Sequence, residues 1–331
     1  MPAAPSLTAV PGLAVGHWTD AETGTGCTAI VPPPGTLGAV DVRGGGPGTR
    51  ETELLAPLAS GQEVTALLFT GGSAFGLSAA AGVVDWCEER GLGFDVRIAR
   101  VPIVPAAVIF DLGVTGGTRR PGPAEGRAAC QAASTAPHAR GSVGAGTGAT
   151  VGKLLGQPGW CKGGLGAASA RLHDGTTVAA LAVVNAFGDV LDERGEVIAG
   201  AWAPGAGFVR ASTYVLDHPP QHPRLAPPES TTLVCVATDA ALTRVEAGQV
   251  ARMAQTGVAR AVSPVNTPID GDVVFVLATG ARPAAAFVVG VVAGDVVAAA
   301  IRDAVRSASA LRAVPTGKDR ASCNATAPER G

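Results

Sequence analysis

Residues 227–242 read PPESTTLVCVATDAAL. A proline-rich polar connector ends at Ser230, and a Thr-Thr pair, Thr231 and Thr232, opens a run of strand-forming residues. A threonine hydroxyl is a poor nucleophile unless a base stands beside it. One economical base is the residue's own α-amino group, which requires the threonine to be N-terminal. That amine has a pKa of roughly 7.7–8.0, so part of it is neutral at working pH. A single encoded chain could use this chemistry only after a cut between Ser230 and Thr231. The Thr231 hydroxyl would attack the Ser230 carbonyl, the acyl group would move from nitrogen to oxygen, and water would release the ester. A polar connector followed by an apolar strand suits such a cut, because the strand holds the new terminus in a packed sheet.

Other residues could join that chemistry. Lys153 is one of only three lysines, with Lys162 and Lys318, in a chain of twenty-two arginines. A lysine amine is compact and its pKa is tuned by burial, which arginine cannot match. Lys153 follows the glycine-rich GAGTGAT segment, so its side chain either projects into a cleft or lies in solvent. Asn185 interrupts the apolar run LAVVNAFGDVLD. Its amide either satisfies local turn backbone or donates to a developing oxyanion. Asp270 and Asp272, in PIDGDVVF, either form a turn before a strand or orient a hydroxyl or an amine.

Several chemistries are excluded. DVRGGGPGTRE and GAGTGATVGK look like phosphate cradles, but Leu154 follows Lys153 where a P-loop needs Ser or Thr. Neither segment has the strand–GxGxxG–helix context of a dinucleotide site. Close packing and tight turns explain both glycine runs better. There is no GxSxG elbow; Ser73, in TGGSAFG, comes nearest and lacks the spacing. The five histidines form no zinc pattern, and His218 and His222 lie in the proline-rich connector.

The composition fits a core-rich globular protein. Apolar residues make up 47% of the 331 residues and charged residues 16%. A net charge of −2 and 4% aromatics give no basis for nucleic-acid or acidic-membrane binding. Six cysteines, without a CxxC, read as reduced buried thiols of a cytoplasmic protein. The N-terminus has no basic n-region or long apolar stretch, so no signal peptide is expected.

The pattern predicts strands over 25–33, 38–46, 65–72, 163–172, 176–192 and 270–280, and another from Thr231. Helices are predicted over 49–59, over 73–91 with Ser73 as cap, and over 123–135, 243–262 and 284–311. Residues 101–113 read as an edge or irregular segment because of two prolines. Residues 203–230 read as a linker and 315–331 as a disordered tail. Strands apolar along their whole length are covered on both faces, which suits sheets facing each other with helices outside.

In order, the stretches GHWTDAETGTGCTAIVPP, VDVRGGGPG, FTGGSAFGLSAAAGV, VPAAVIFD, GAGTGATVGK, VVNAFGDVLD, STTLVCVATD and DGDVVFVLATG run almost end to end. Together they resemble the self-processing family of L-aminopeptidase D-amidase/esterases, β-aminopeptidases and nylon-oligomer hydrolases. The resemblance implies a single α/β domain, a four-layer αββα sandwich like the N-terminal-nucleophile hydrolases with altered connectivity. It implies cleavage between Ser230 and Thr231 into 1–230 and 231–331. Thr231 would be the nucleophile. Lys153 would tune its protons, Asn185 would stabilise the oxyanion, and Asp270 and Asp272 would be the acidic pair at the new terminus. Gly71, Gly72, Ser73, Phe75 and Phe110 would line the substrate pocket.

Two positions depart from the family pattern. Ser230 stands where relatives often carry Asn or Gly. Phe110 stands where some carry a tyrosine, so no hydroxyl is available there and the pocket is more apolar. The implied activity is hydrolysis of short peptides, amino-acid amides or esters, or ω-amino-acid oligomers through an acyl-enzyme. No metal or organic cofactor is implied, and the partners are the small substrate and further copies of the processed chain. Two alternatives stay open: acyl transfer of the ornithine acetyltransferase type, and an uncleaved binding scaffold.

Overall fold

The computed structural model describes residues 5–59, 61, 63–218 and 230–325. Ten strands and four helices build the frame: β1 (Ala14–Asp20), β2 (Thr25–Val31), β3 (Leu37–Val42), β4 (Thr49–Arg50), β5 (Leu67–Thr70), α1 (Ala79–Glu88), β6 (Ala106–Val108), α2 (Pro123–Gln131), β7 (Gly164–Arg171), β8 (Thr177–Asn185), β9 (Thr231–Ala241), α3 (Arg244–Ala261), β10 (Val273–Pro283) and α4 (Ala286–Arg306). They form two five-stranded sheets, ordered β1-β2-β5-β6-β4 and β7-β8-β9-β10-β3.

The side-chain period of a strand explains the layering. Along β9, Leu233, Cys235 and Ala237 face the first sheet, meeting Ile30, Leu67 and Phe69. Val234 and Val236 face the other way, toward Val250 and Val258 of α3 and Val297 and Ile301 of α4. The first sheet does the same, with Cys27, Ala29 and Leu68 packed on Val83 of α1 and Ala129 of α2. The order is therefore helix, sheet, sheet, helix, the αββα sandwich expected. β9 and β10 pair in parallel. A parallel pair needs a crossover, and α3 provides it. Thr243 caps α3 by a reciprocal box: Thr243 N–H donates to the Glu246 carboxylate at 2.8 Å and Glu246 N–H to the Thr243 hydroxyl at 3.3 Å.

Four local expectations are corrected. The helix over 49–59 is instead β4 followed by one 3₁₀ turn, Glu53–Leu55, whose single buried side chain, Leu55, offers no continuous apolar face. Ser73 does not cap a helix; it has φ of 55° and opens a 3₁₀ stretch, with the α-helix starting at Ala79. The linker expected over 203–230 is ordered up to residue 218, with a small hairpin of Trp202–Ala203 on Gly207–Phe208 and a helix Ala211–Asp217. Buried Asp189 fastens it, accepting Ala201 N–H at 3.0 Å and Ala211 N–H at 2.7 Å. Residues 219–229 of the expected linker lie outside the described residues.

The tail expected to be disordered over 315–331 contains a helix, Gly317–Ala325. Thr316 and Asp319 close its first turn: Thr316 N–H and hydroxyl donate to the Asp319 carboxylate at 2.9 and 2.7 Å, and Asp319 N–H returns to the hydroxyl at 3.1 Å. Arg320 reaches the carbonyl oxygens of Pro158 and Trp160. Residues 326–331 lie outside the described residues. Among the described residues no helix is long and apolar enough to cross a membrane.

Between the sheets, Phe69 and Phe275 meet at a ring-centroid distance of 5.9 Å. Phe275→Ala is expected to cost about 3–5 kcal/mol through lost contacts and an unfilled cavity. Denaturant unfolding of single-chain Thr231→Ala protein, with and without the change, measures it; an unchanged midpoint would contradict the two-sheet core.

Candidate active site

Thr231 is the first residue of β9, the central strand of its sheet. Register fixes its neighbours on both sides. Asn185, the last residue of β8, pairs with Thr231. On the other side Ser230 bridges Asp270, and β10 begins its pairing at Val273 opposite Leu233. Ser230 and Thr231 are 3% and 5% exposed, so the bond between them is buried.

Two donors converge on the carbonyl oxygen of Ser230. The Thr231 hydroxyl donates to it at 2.5 Å and the Gly271 N–H at 2.8 Å. A Cβ at position 271 would stand 2.8 Å from the Thr231 hydroxyl oxygen, so the approach requires glycine.

Both aspartates are buried and satisfied by neighbouring donors. Asp272 accepts Thr232 N–H at 2.6 Å and Asn266 N–H at 2.9 Å. Asp270 accepts the Thr267 N–H at 3.0 Å, the Thr267 hydroxyl at 2.5 Å and Phe187 N–H at 3.4 Å. Burial, reinforced by the negative charge of Asp270, pushes the Asp272 carboxyl up to about 7. The GGGPG loop braces this segment. Arg43 and Gly44 N–H groups donate to Asp272 O at 2.9 and 3.2 Å, and Gly46 N–H to Asp270 O at 2.8 Å. A Cβ on Gly44 would lie 2.3 Å from Asp270 O, which accounts for glycine there by close approach and not by phosphate binding.

The second glycine-rich run positions Lys153 and Asn185. Lys153 is buried, and its Nζ donates to Asn185 O at 3.1 Å. The Asn185 amide is oriented by its partners. Its Oδ1 accepts the Thr150 N–H at 3.0 Å, and its Nδ2 donates to Phe110 O at 3.2 Å. Backbone N–H only donates and C=O only accepts, so the amide has one consistent orientation.

Two buried charged residues behind these contacts were not singled out from sequence. Lys162 donates to Thr147 O at 2.8 Å and Ala149 O at 2.7 Å, holding the turn that presents Thr150. Burial lowers its amine to about 7, opposed by the charge of Asp111. Asp111 follows Phe110 and accepts the Thr25 hydroxyl at 2.6 Å and Gly72 N–H at 2.7 Å. Burial raises its carboxyl to about 6, against those two hydrogen bonds.

The structure thus gathers Ser230, Thr231, Asn185, Lys153, Asp270 and Asp272 into one cluster. Phe110 joins it through its carbonyl, half-buried. Gly71 and Gly72 sit against Asp111, and Ser73 N–H donates to Ile109 O at 3.0 Å. Phe75 lies farther out, 58% exposed, with the Arg120 guanidinium 3.9 Å over its ring.

Comparison with known proteins agrees with this architecture. Residues 5–321 match Peptidase family S58. The chain is 42% identical over 351 aligned positions to an uncharacterized aminopeptidase of Mycobacterium tuberculosis (strain ATCC 25618 / H37Rv), covering 95% of this chain and 97% of that one. It is 32% identical over 277 positions to a 6-aminohexanoate-oligomer endohydrolase of Paenarthrobacter ureafaciens, covering 81% and 73%. Among solved structures, a Burkholderia sp. beta-aminopeptidase superposes with a TM-score of 0.70 at 23% identity, covering 97% and 93%. The L-aminopeptidase D-Ala-esterase/amidase of Ochrobactrum anthropi, a variant of the Ntn hydrolase fold, gives 0.70 at 20% identity, covering 92% and 86%. This chain belongs to peptidase family S58 and is a hydrolase.

Proposed function

We propose that the protein is a self-cleaving amidohydrolase whose nucleophile is Thr231, exposed as an N-terminus by cleavage after Ser230. The observation that carries this reading is the Thr231 hydroxyl lying 2.5 Å from the carbonyl oxygen of its own preceding peptide. Attack on the carbon of that carbonyl would transfer the acyl group to the hydroxyl as the C–N bond breaks, and hydrolysis would leave a free α-amine on Thr231. In the processed enzyme that amine takes the hydroxyl proton as the next acyl group is attacked. Asn185 donates to the developing oxyanion, and Lys153, bonded to the Asn185 carbonyl, adds positive charge beside it. Asp270 and Asp272 hold the new terminus. Support comes from the Thr232 N–H, one residue on, which already contacts Asp272 at 2.6 Å.

The substrates are short peptides, amino-acid amides or esters, and ω-amino-acid oligomers. The last class draws support from the oligomer endohydrolase similarity, and Phe110 keeps one wall of the site without a hydroxyl. Hydrolysis is favoured over acyl transfer by the hydrolase names of the relatives. The processed units assemble into a cytoplasmic homo-oligomer in this reading, supported by the exposed apolar side chains Phe287, Val288 and Val291 on α4.

Thr231→Ala is expected to abolish both cleavage and hydrolysis, followed by intact mass and by release of product from amino-acid amides. Turnover near wild type by this variant would remove Thr231 from the mechanism. Lys153→Met should leave a folded protein whose kcat falls by about 10²-fold or more, the scale of losing a charge-stabilising group; an unaltered kcat would place the lysine outside the reaction.

Asp272 supplies a test by pH. Its folded pKa is raised above the unfolded value, so between about pH 4 and 7 the folded state binds more protons than the unfolded state. Stability from this group is greatest at low pH and falls as pH rises through about 7. In the single-chain Thr231→Ala background, Asp272→Asn should flatten the fall in Tm between about pH 5 and 7. Parallel Tm profiles for the two proteins would contradict the assignment.

A further inference from the structure

A tetrahedral intermediate at the Ser230 carbonyl places negative charge on the oxygen that two groups already address. One of them, the Thr231 hydroxyl, is the attacking group and gives up its proton, so it cannot remain as the stabilising donor. The other, the Gly271 N–H, already donates to the ground-state oxygen at 2.8 Å, so it is in place to follow that oxygen to the oxyanion position, where effective donors stand roughly 2.7–3.1 Å away. We infer that the Gly271 backbone N–H is the oxyanion donor for self-cleavage of the Ser230–Thr231 bond. The inference rests on the self-processing reading above and assigns this step to a group distinct from the Asn185 amide.

The step balances within the chain. The Thr231 Oγ1–C bond forms to the Ser230 carbonyl carbon as the carbonyl π pair moves onto oxygen, and that oxygen accepts the hydrogen bond donated by Gly271 N–H. The pair returns, the C–N bond breaks, and the hydroxyl proton ends on the departing α-amine. Water then adds to the ester, regenerating the hydroxyl and leaving a carboxyl on Ser230.

Three observations support the assignment. First, the donor is held rigidly. Asp270 and Asp272, on either side of Gly271, have their carbonyl oxygens fixed by Gly46 N–H and by the Arg43 and Gly44 N–H groups. Their carboxylates are fixed by Thr267, Thr232 and Asn266. A donor that needs no reorganisation is worth most in a buried site. Second, position 271 has room for no side chain, since a Cβ would meet the Thr231 hydroxyl oxygen at 2.8 Å. Third, Phe110 offers no hydroxyl, and the Asn185 amide spends one N–H on Phe110 O.

The test replaces Gly271 by glycolic acid through nonsense suppression, exchanging the N–H for an ester oxygen with no added side chain. A control ester replaces Val276, a ladder position deeper in β10. Self-cleavage of the folded fractions is timed by intact mass. The expected result is slowing by roughly 10²–10³-fold for the 271 ester, the usual loss for one oxyanion donor, and a rate near wild type for the 276 ester. Wild-type speed in the 271 ester overturns the inference while leaving self-processing standing; a wild-type chain that never cleaves overturns both. A second measurement leaves the backbone at 271 unaltered. In the uncleavable Thr231→Val chain, a scalar coupling across the hydrogen bond between Gly271 15N and Ser230 13C′ should be detected by NMR, and its absence in the folded chain overturns the inference even if the ester variant does not fold.

Discussion

The carbonyl of Ser230 is pinned between the hydroxyl of the next residue and an N–H from the turn that leads into the adjoining parallel strand, and that restraint governs the rest of the site. It exists because Thr231 opens a central strand. An edge strand would supply one neighbour, but β9 has two. β8 ends at Asn185 on one side, and the turn into β10 carries Asp270, Gly271 and Asp272 on the other. A slip of one residue in either pairing would turn alternate side chains to the opposite face. The two apolar faces of β9, one in each core, oppose such a slip. Burial of both faces of this strand is thus what holds one peptide bond in its place.

The electrostatics follow from the same burial. A chain with few charges places two carboxyls side by side out of water and stabilises them with N–H and hydroxyl donors. Burial, and after it the charge of Asp270, raises the Asp272 carboxyl toward neutrality. In the proposed processed enzyme the new ammonium on Thr231 would supply a cation beside this pair, so cutting the chain and stabilising its ends are linked. Lys162 and Asp111 form a second buried layer. Each fixes backbone that in turn orients the Asn185 amide, one through the turn before Thr150 and the other through the segment carrying the Phe110 carbonyl.

Much of this was legible in the sequence because it sits at sharp changes of composition. The step from PPES to TTLVCV marks Thr231, the lone polar Asn185 stands out in an apolar run, and the scarcity of lysine points to Lys153. The αββα order was readable from doubly apolar strands. What escaped has physical reasons. Asp111 and Lys162 are single polar residues whose partners, Thr25 and Thr147, come from other segments, so no local pattern announces their burial. Gly271 acts through its backbone, which a reading of side chains passes over even though both flanking aspartates were noted. The ordered parts of the presumed linker and tail depend on remote anchors, such as Asp189 on Ala211 and Arg320 on Pro158, that outweigh weak local propensity. The 3₁₀ start at Ser73 reflects a backbone turned to place Gly72 N–H on Asp111.

The central claim is that one threonine serves as nucleophile and carries its own base. It is tested most directly by N-terminal sequencing and intact mass of purified, active wild-type enzyme. The account expects two chains, 1–230 and 231–331, the second beginning Thr-Thr-Leu, with activity rising in step with the processed fraction. Full activity in a preparation whose Ser230–Thr231 bond is wholly intact would contradict it.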